Sequence, residues 1–143
     1  MKIINREIGY AIKSLCFIFK EKRKTVTAGQ LADSFKISLP FLRKILQKLN
    51  YAGILESSKG KNGGFRMSMP ANNISLVDLI EIYQGSLRLC NCYSKGQDCP
   101  LIEECPIQNE IEKIENKLIS DLSKISLDKL IKKDKYLSSK LKE

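Results

Sequence analysis

Residues 27–69 read TAGQLADSFKISLPFLRKILQKLNYAGILESSKGKNGGFRMSM. Thr27 is a good N-cap and opens a short helix over roughly 28–35 that turns Leu31 and Phe35 inward. The pattern breaks at Lys36-Ile37. Ser38 is a second N-cap, and Pro40 falls in the first helical turn, where its missing N–H costs nothing. The spacing predicts a helix over roughly 39–51, with Leu42, Ile45, Leu46 and Leu49 on its apolar face and Arg43, Lys44, Gln47 and Lys48 facing the other way. Gly53 fits its C-cap. Ile54 to Ser58 reads as a strand, Lys59 to Gly64 as a turn that tolerates positive φ, and Phe65 to Met69 as the returning strand, stopped by Pro70. Two capped helices followed by a basic-tipped hairpin describe a winged helix-turn-helix. The fold class is therefore mainly α with a small β-hairpin wing.

Working outward, residues 5–20 carry Ile8, Ala11, Ile12, Leu15, Cys16 and Phe19 at helical spacing. Cys16 on that face reads as a small core residue. Lys20, Lys22, Arg23 and Lys24 form a basic loop. Beyond the hairpin, Ser75 and Asp78 make a capping box for a helix through about Tyr83, ending near Gly85. Residues 88–106 have no periodicity and contain Gly96, Pro100 and Pro106. A long helix is predicted over roughly 106–124, with Ile107, Ile111, Ile114, Leu118 and Leu122 in one stripe. Ser126 caps a last short helix over 127–133. The chain thus divides into a DNA-binding unit (1–74), a linking helix with a cysteine-rich loop (75–105), and a dimerisation helix with its tail (106–143). So short a chain has little left to cover the apolar stripe, so a second copy is expected to bury it, giving a homodimer.

The 143 residues carry a net charge of +9 and are 43% hydrophobic, which excludes a disordered tail and fits one globular domain. The charge is lopsided: residues 1–74 hold 14 Lys and Arg against 4 Asp and Glu, and residues 75–143 hold 11 against 12. The basic half is expected to meet a polyanion, and the winged helix makes that double-stranded DNA. A recognition helix enters the major groove by its N-terminal residues, here Ser38, Pro40, Phe41 and Arg43, with Lys44 and Lys48 near phosphates. The wing tip, Lys59 and Lys61, is narrow enough for a minor groove. Thr27 and Arg66 complete the candidate DNA-contacting set. The segment Lys59 to Gly64 is no phosphate loop, since it lacks the Gly-Lys-Ser/Thr ending and a strand follows it.

The absence of histidine excludes serine–histidine triads, cysteine–histidine nucleophiles and two-histidine zinc sites. Nothing supplies an acid–base pair or substrate pocket, so neither an enzyme nor a small-molecule substrate is expected. No apolar stretch approaches the roughly 20 residues of a membrane span. No basic-then-apolar leader opens the chain, and a cytoplasmic location is expected.

Four of the five cysteines, Cys90, Cys92, Cys99 and Cys105, fall within sixteen residues in a C-x-C-x6-C-x5-C pattern. Thiolates in an irregular loop can wrap an iron–sulfur cluster. A four-thiolate zinc site would use the same side chains, but the paired C-x2-C knuckles usual for structural zinc are missing. Four plain thiols in a reducing cytosol are the remaining reading.

These features together resemble the IscR/NsrR family of bacterial winged-helix regulators that carry iron–sulfur clusters. The resemblance rests on Gly9-Tyr10-Ala11, Ile37-Ser38-Leu39 with Phe41-Leu42, Gly60 and Gly63-Gly64-Phe65, and the triad Cys92, Cys99 and Cys105. It implies a homodimer with crossing long helices and a cluster that gates operator affinity, sensing iron–sulfur status, redox state or nitric oxide. One branch of that family takes its fourth ligand from a histidine three residues after the last cysteine, where this chain has Gln108. The nitric-oxide sensors use an acidic residue of the partner's first helix, where this chain has Gly9, with Glu7 nearby. The fourth ligand is therefore Cys90, Glu7 or a small exogenous group, and a 4Fe–4S centre is favoured over 2Fe–2S. The alternatives are a thiol-based or zinc-containing winged-helix regulator, or an iron–sulfur electron carrier.

Overall fold

The computed structural model of the chain describes residues 2–21, 24–90 and 104–134. Its elements run α1 (Arg6–Lys20), α2 (Ala28–Phe35), α3 (Leu39–Tyr51), β1 (Leu55–Ser58), β2 (Gly64–Met67), a 3-10 turn (Ala71–Asn73), α4 (Leu76–Gln84), α5 (Pro106–Ser123) and α6 (Leu127–Lys133). Local chemistry fixes most boundaries. The Asn5 side chain accepts the Ile8 N–H at 2.9 Å and starts α1. Thr27 and Gln30 exchange side-chain bonds with each other's backbone at 3.1 and 2.9 Å, a capping box that opens α2. Lys36, in the left-handed conformation at φ 54°, ends α2 and makes the sharp turn into α3. Ser38 stands at the N-cap of α3 as expected, but its hydroxyl makes no capping bond. The C-cap of α3 is Ala52, one residue before Gly53. Ser75 and Asp78 form the second capping box, at 2.8 and 3.2 Å, and α4 ends at Gly85.

The hairpin is antiparallel, pairing Leu55 with Met67 and Glu56 with Arg66. The returning strand ends at Met67, two residues short of the expected Met69. Phe65 also pairs with Val26, each N–H meeting the other's carbonyl at 2.9 and 2.8 Å, so the segment before α2 extends the sheet. Gly64 runs so close to this pairing that a Cβ there would lie 2.8 Å from the Val26 carbonyl oxygen.

One core joins all three sequence segments. Ile8 and Leu15 of α1, Leu31 of α2, Leu42, Ile45, Leu46 and Leu49 of α3 and Leu79 of α4 are fully buried in it. Leu127 and Ile131 of α6 enter the same core. They are brought there by a bridge in which the Leu76 N–H meets the Ile125 carbonyl and the Leu127 N–H meets the Ile74 carbonyl, both at 2.8 Å. The stripe on α5 is split. Leu118 and Leu122 pack against this core, whereas Ile107 and Ile114 are 72% and 56% exposed and Ile111 is half-buried. The expectation that the protomer leaves the stripe uncovered is therefore corrected for its C-terminal members. The chain's own core provides their cover.

Candidate nucleic-acid interface and cysteine site

Burial of Leu42, Ile45, Leu46 and Leu49 fixes the rotation of α3 and turns Arg43, Lys44 and Gln47 to solvent. Ser38 and Pro40 are exposed at its start. Lys59 and Lys61 are exposed at the wing tip. Thr25 braces this tip by donating its hydroxyl to the Asn62 carbonyl at 2.7 Å. Among the described residues, no carboxylate forms an ion pair with Arg43, Lys44, Lys59 or Lys61.

Three other candidates are engaged within the chain. Lys48 reaches the Glu7 carboxylate at 3.5 Å and lies 5.2 Å from the centre of the Tyr83 ring. Arg66 forms an ion pair with its cross-strand neighbour Glu56. The Thr27 hydroxyl is held in its capping box. Phe41 is half-buried, edge-on to Tyr10 at 6.0 Å, and its ring carries the Arg6 guanidinium at 5.0 Å. Arg6 also lies 5.5 Å from the Tyr10 ring, and Lys13 approaches that ring at 5.0 Å. The sequence reading missed Arg6 and Lys13. Their spacing about Tyr10, four residues before and three after, was the available signal.

Behind the recognition helix, the Tyr83 hydroxyl donates to the Ile45 carbonyl at 2.7 Å. Burial, aided by the Glu7 charge, holds this phenol well above its ordinary ionisation range. Cys16 is 1% exposed in the core. Burial pushes its thiol up to about 11, with Asp134 raising it further and Lys20 opposing. It is a packing residue, as its place on the apolar face of α1 suggested.

Of the clustered cysteines, Cys92 and Cys99 lie outside the described residues. Cys90 and Cys105 are half-buried, Cys105 as the N-cap residue of α5. The chain leading to Cys90 is clasped to α5 by Glu115, which is 6% exposed. Its carboxylate accepts the Leu89 N–H at 2.8 Å and pairs with Arg88 at 3.3 Å. Beside this clasp a cavity of about 240 Å³ is lined by Arg88, Cys90, Gln108, Ile111, Glu112 and Glu115. Gln108 is 4% exposed, buried in this lining. The lining offers one thiol, Cys90, beside the carboxylates of Glu112 and Glu115, and a thiolate is the donor that an iron–sulfur group takes. Among the described residues, no three Cys, Asp or Glu side chains are grouped closely enough to hold a metal ion. Glu7 sits apart from this cavity's lining, held by Lys48. No helix of the described residues is long and apolar enough to cross a membrane.

The Rrf2 family, described as iron-dependent transcriptional regulators, matches residues 4–133. A relative from Rhizobium meliloti (strain 1021), protein aau3, is 31% identical over 130 residues, covering 90% of this chain and 84% of that protein. The HTH-type transcriptional regulator NsrR of Oceanobacillus iheyensis is 27% identical, over 94% of this chain and 92% of its own. Among solved structures, the global cysteine regulator CymR of B. subtilis superposes with a TM-score of 0.75 at 18% identity, over 94% of this chain and 99% of that one. The T. potens IscR structure superposes with a TM-score of 0.67 at 23% identity, over 92% of this chain and 87% of that one. These two structures share the winged-helix fold described above.

Proposed function

The chain belongs to the Rrf2 family of transcriptional regulators, and from that premise we propose that it is a homodimeric, cytoplasmic DNA-binding regulator whose operator affinity is set by an iron–sulfur cluster. The observation that carries the DNA reading is that Arg43 and Lys44 on the recognition helix and Lys59 and Lys61 on the wing are exposed and form no ion pair among the described residues. Exposed cations on one winged helix suit phosphate and groove contacts, where they displace condensed counterions. Ser38 and Pro40 stand with Arg43 where base edges would be read. Lys48 and Arg66, already paired with Glu7 and Glu56, take the lesser part.

Cys92, Cys99 and Cys105 would hold the cluster, with Cys90 as fourth ligand. Its place in the cavity wall and the engagement of Glu7 by Lys48 favour Cys90 over Glu7. When bound, the cluster supplies a centre that changes with oxidation state, iron supply or nitric oxide. Glu115 orders the entry to the loop and ties it to α5, which offers Ile107 and Ile114 as a seam for the second copy. Four thiolates suit a 4Fe–4S centre, which is favoured over the 2Fe–2S centre that the same donors also hold.

Anaerobically purified protein is expected to show visible sulfide-to-iron absorption that Cys92→Ser, Cys99→Ser and Cys105→Ser each abolish. Cys90→Ser should alter this spectrum and Glu7→Ala should leave it unchanged. A colourless protein with stoichiometric zinc or none would replace the cluster with the thiol or zinc reading. Salt-dependent binding to the DNA upstream of its own gene separates a regulator from an electron carrier.

A further inference from the structure

The feature least accounted for is Arg6. It is the first residue of α1, where the helix dipole disfavours a cation. It is exposed, and among the described residues it forms no ion pair. Yet its guanidinium is not loose. It lies 5.0 Å from the Phe41 ring and 5.5 Å from the Tyr10 ring. Phe41 and Tyr10 hold one another edge-on at 6.0 Å, and Tyr10 is braced by Phe35 at the same distance. Phe41 belongs to the first turn of α3, so the platform places this cation at the leading edge of the recognition helix.

A guanidinium stacked on an aromatic face keeps the N–H groups of its edge available, and stacking removes much of the rotamer freedom that contact with an anion would otherwise cost. Lys13, over the Tyr10 ring at 5.0 Å, is also exposed and without an ion pair among the described residues. The charged surface of the wing and recognition helix therefore continues onto α1. We propose that Arg6, set by Phe41 and Tyr10, is a DNA-backbone contact that receives a phosphate flanking the groove entered by α3. This rests on the DNA-binding reading above and extends the interface to an element outside the helix-turn-helix. It also gives Phe41 the task of positioning Arg6 in place of reading a base.

The test is the salt dependence of binding to a mixed-sequence DNA duplex, followed by fluorescence anisotropy for the wild type, Arg6→Ala and Arg6→Lys. Circular dichroism and thermal melting check that each variant is folded. Each phosphate contact contributes a slope of about 0.9 in log affinity against log salt, so a dimer losing two should lose roughly 1.8. Arg6→Lys keeps the charge and should retain the slope while binding more weakly than wild type, because an ammonium lacks the planar fork. An Arg6→Ala slope equal to that of wild type overturns the assignment while DNA binding itself stands. Failure of the wild type to bind the duplex at low salt overturns the DNA-binding reading instead.

Discussion

Tyr83 donates its hydroxyl to the backbone carbonyl of Ile45 across 2.7 Å, which pins α4 to the middle of the recognition helix. Tyr83 is 9% exposed, so the bond is shielded from water. Five residues further along, the same chain reaches Arg88 and the Glu115 clasp. The helix that leads into the cysteine segment is thus bonded directly to the helix that would enter the major groove.

Tyr83→Phe removes that hydroxyl and should lower stability by about 1 kcal/mol, the usual net worth of a buried hydrogen bond. Urea unfolding measures it. A midpoint matching wild type would show that the hydroxyl bond adds nothing.

Stability should fall in alkali. The folded Cys16 thiol ionises near 11, against an ordinary 9.0. Below pH 9 both folded and unfolded chains keep the proton, and the contribution is fully present. Between about pH 9 and 11 the unfolded chain loses the proton first, so this group removes about 1.4 kcal/mol of stability per pH unit. Tyr83, displaced in the same direction, extends the loss above its ordinary 10.0. Cys16→Ala should flatten the first part of this decline in urea titrations run across the pH series.

Gly63→Ala should damage the wing. A Cβ at Gly63 would lie 2.6 Å from the Ser58 carbonyl oxygen and 2.9 Å from that of Gly60, both backbone atoms that cannot swing aside. The Gly63 N–H also closes the turn onto the Gly60 carbonyl at 2.9 Å. The expected cost is roughly 1–3 kcal/mol, by analogy with forced overpacking. Since Lys59 and Lys61 move with the turn, DNA affinity should drop as well. Thermal melting and anisotropy read the two effects separately.

The proposed dimer seam is best probed at Ile114. This residue is 56% exposed in the protomer, so Ile114→Asp should leave the fold intact and yield monomer in sedimentation. Leu118→Asp is expected to unfold the chain instead, because Leu118 packs against its own core. An Ile114→Asp protein that sediments as a dimer at micromolar concentration would place the seam elsewhere.

The helix-turn-helix was legible because its boundaries are written locally. Thr27 with Gln30, Pro40 after Ser38, and Ser75 with Asp78 each act within one helical turn. What escaped the sequence depends on partners distant along the chain. The Val26–Phe65 pairing and the return of Leu127 and Ile131 to the core have no local signature. The basic candidates show the same division. Helical periodicity put Arg43, Lys44 and Lys48 on one exposed face, but only packing shows Lys48 turned to Glu7, forty-one positions away. Likewise Phe41 stood at a groove-contacting position by spacing, and its engagement with Arg6 emerges only once α1 lies against α3. The cysteine spacing announced thiolate chemistry, whereas the burial of Gln108 and the Glu115 clasp are products of α5 docking beside residues 88–90.

The most direct measurement compares anaerobic binding of the cluster-bearing and chelator-stripped protein to the same DNA from upstream of its own gene, at one fixed salt concentration. The expected result is a difference in affinity of about tenfold or more, equivalent to some 1.4 kcal/mol of coupling between cluster and DNA. Equal affinity of the two forms would contradict cluster-controlled regulation.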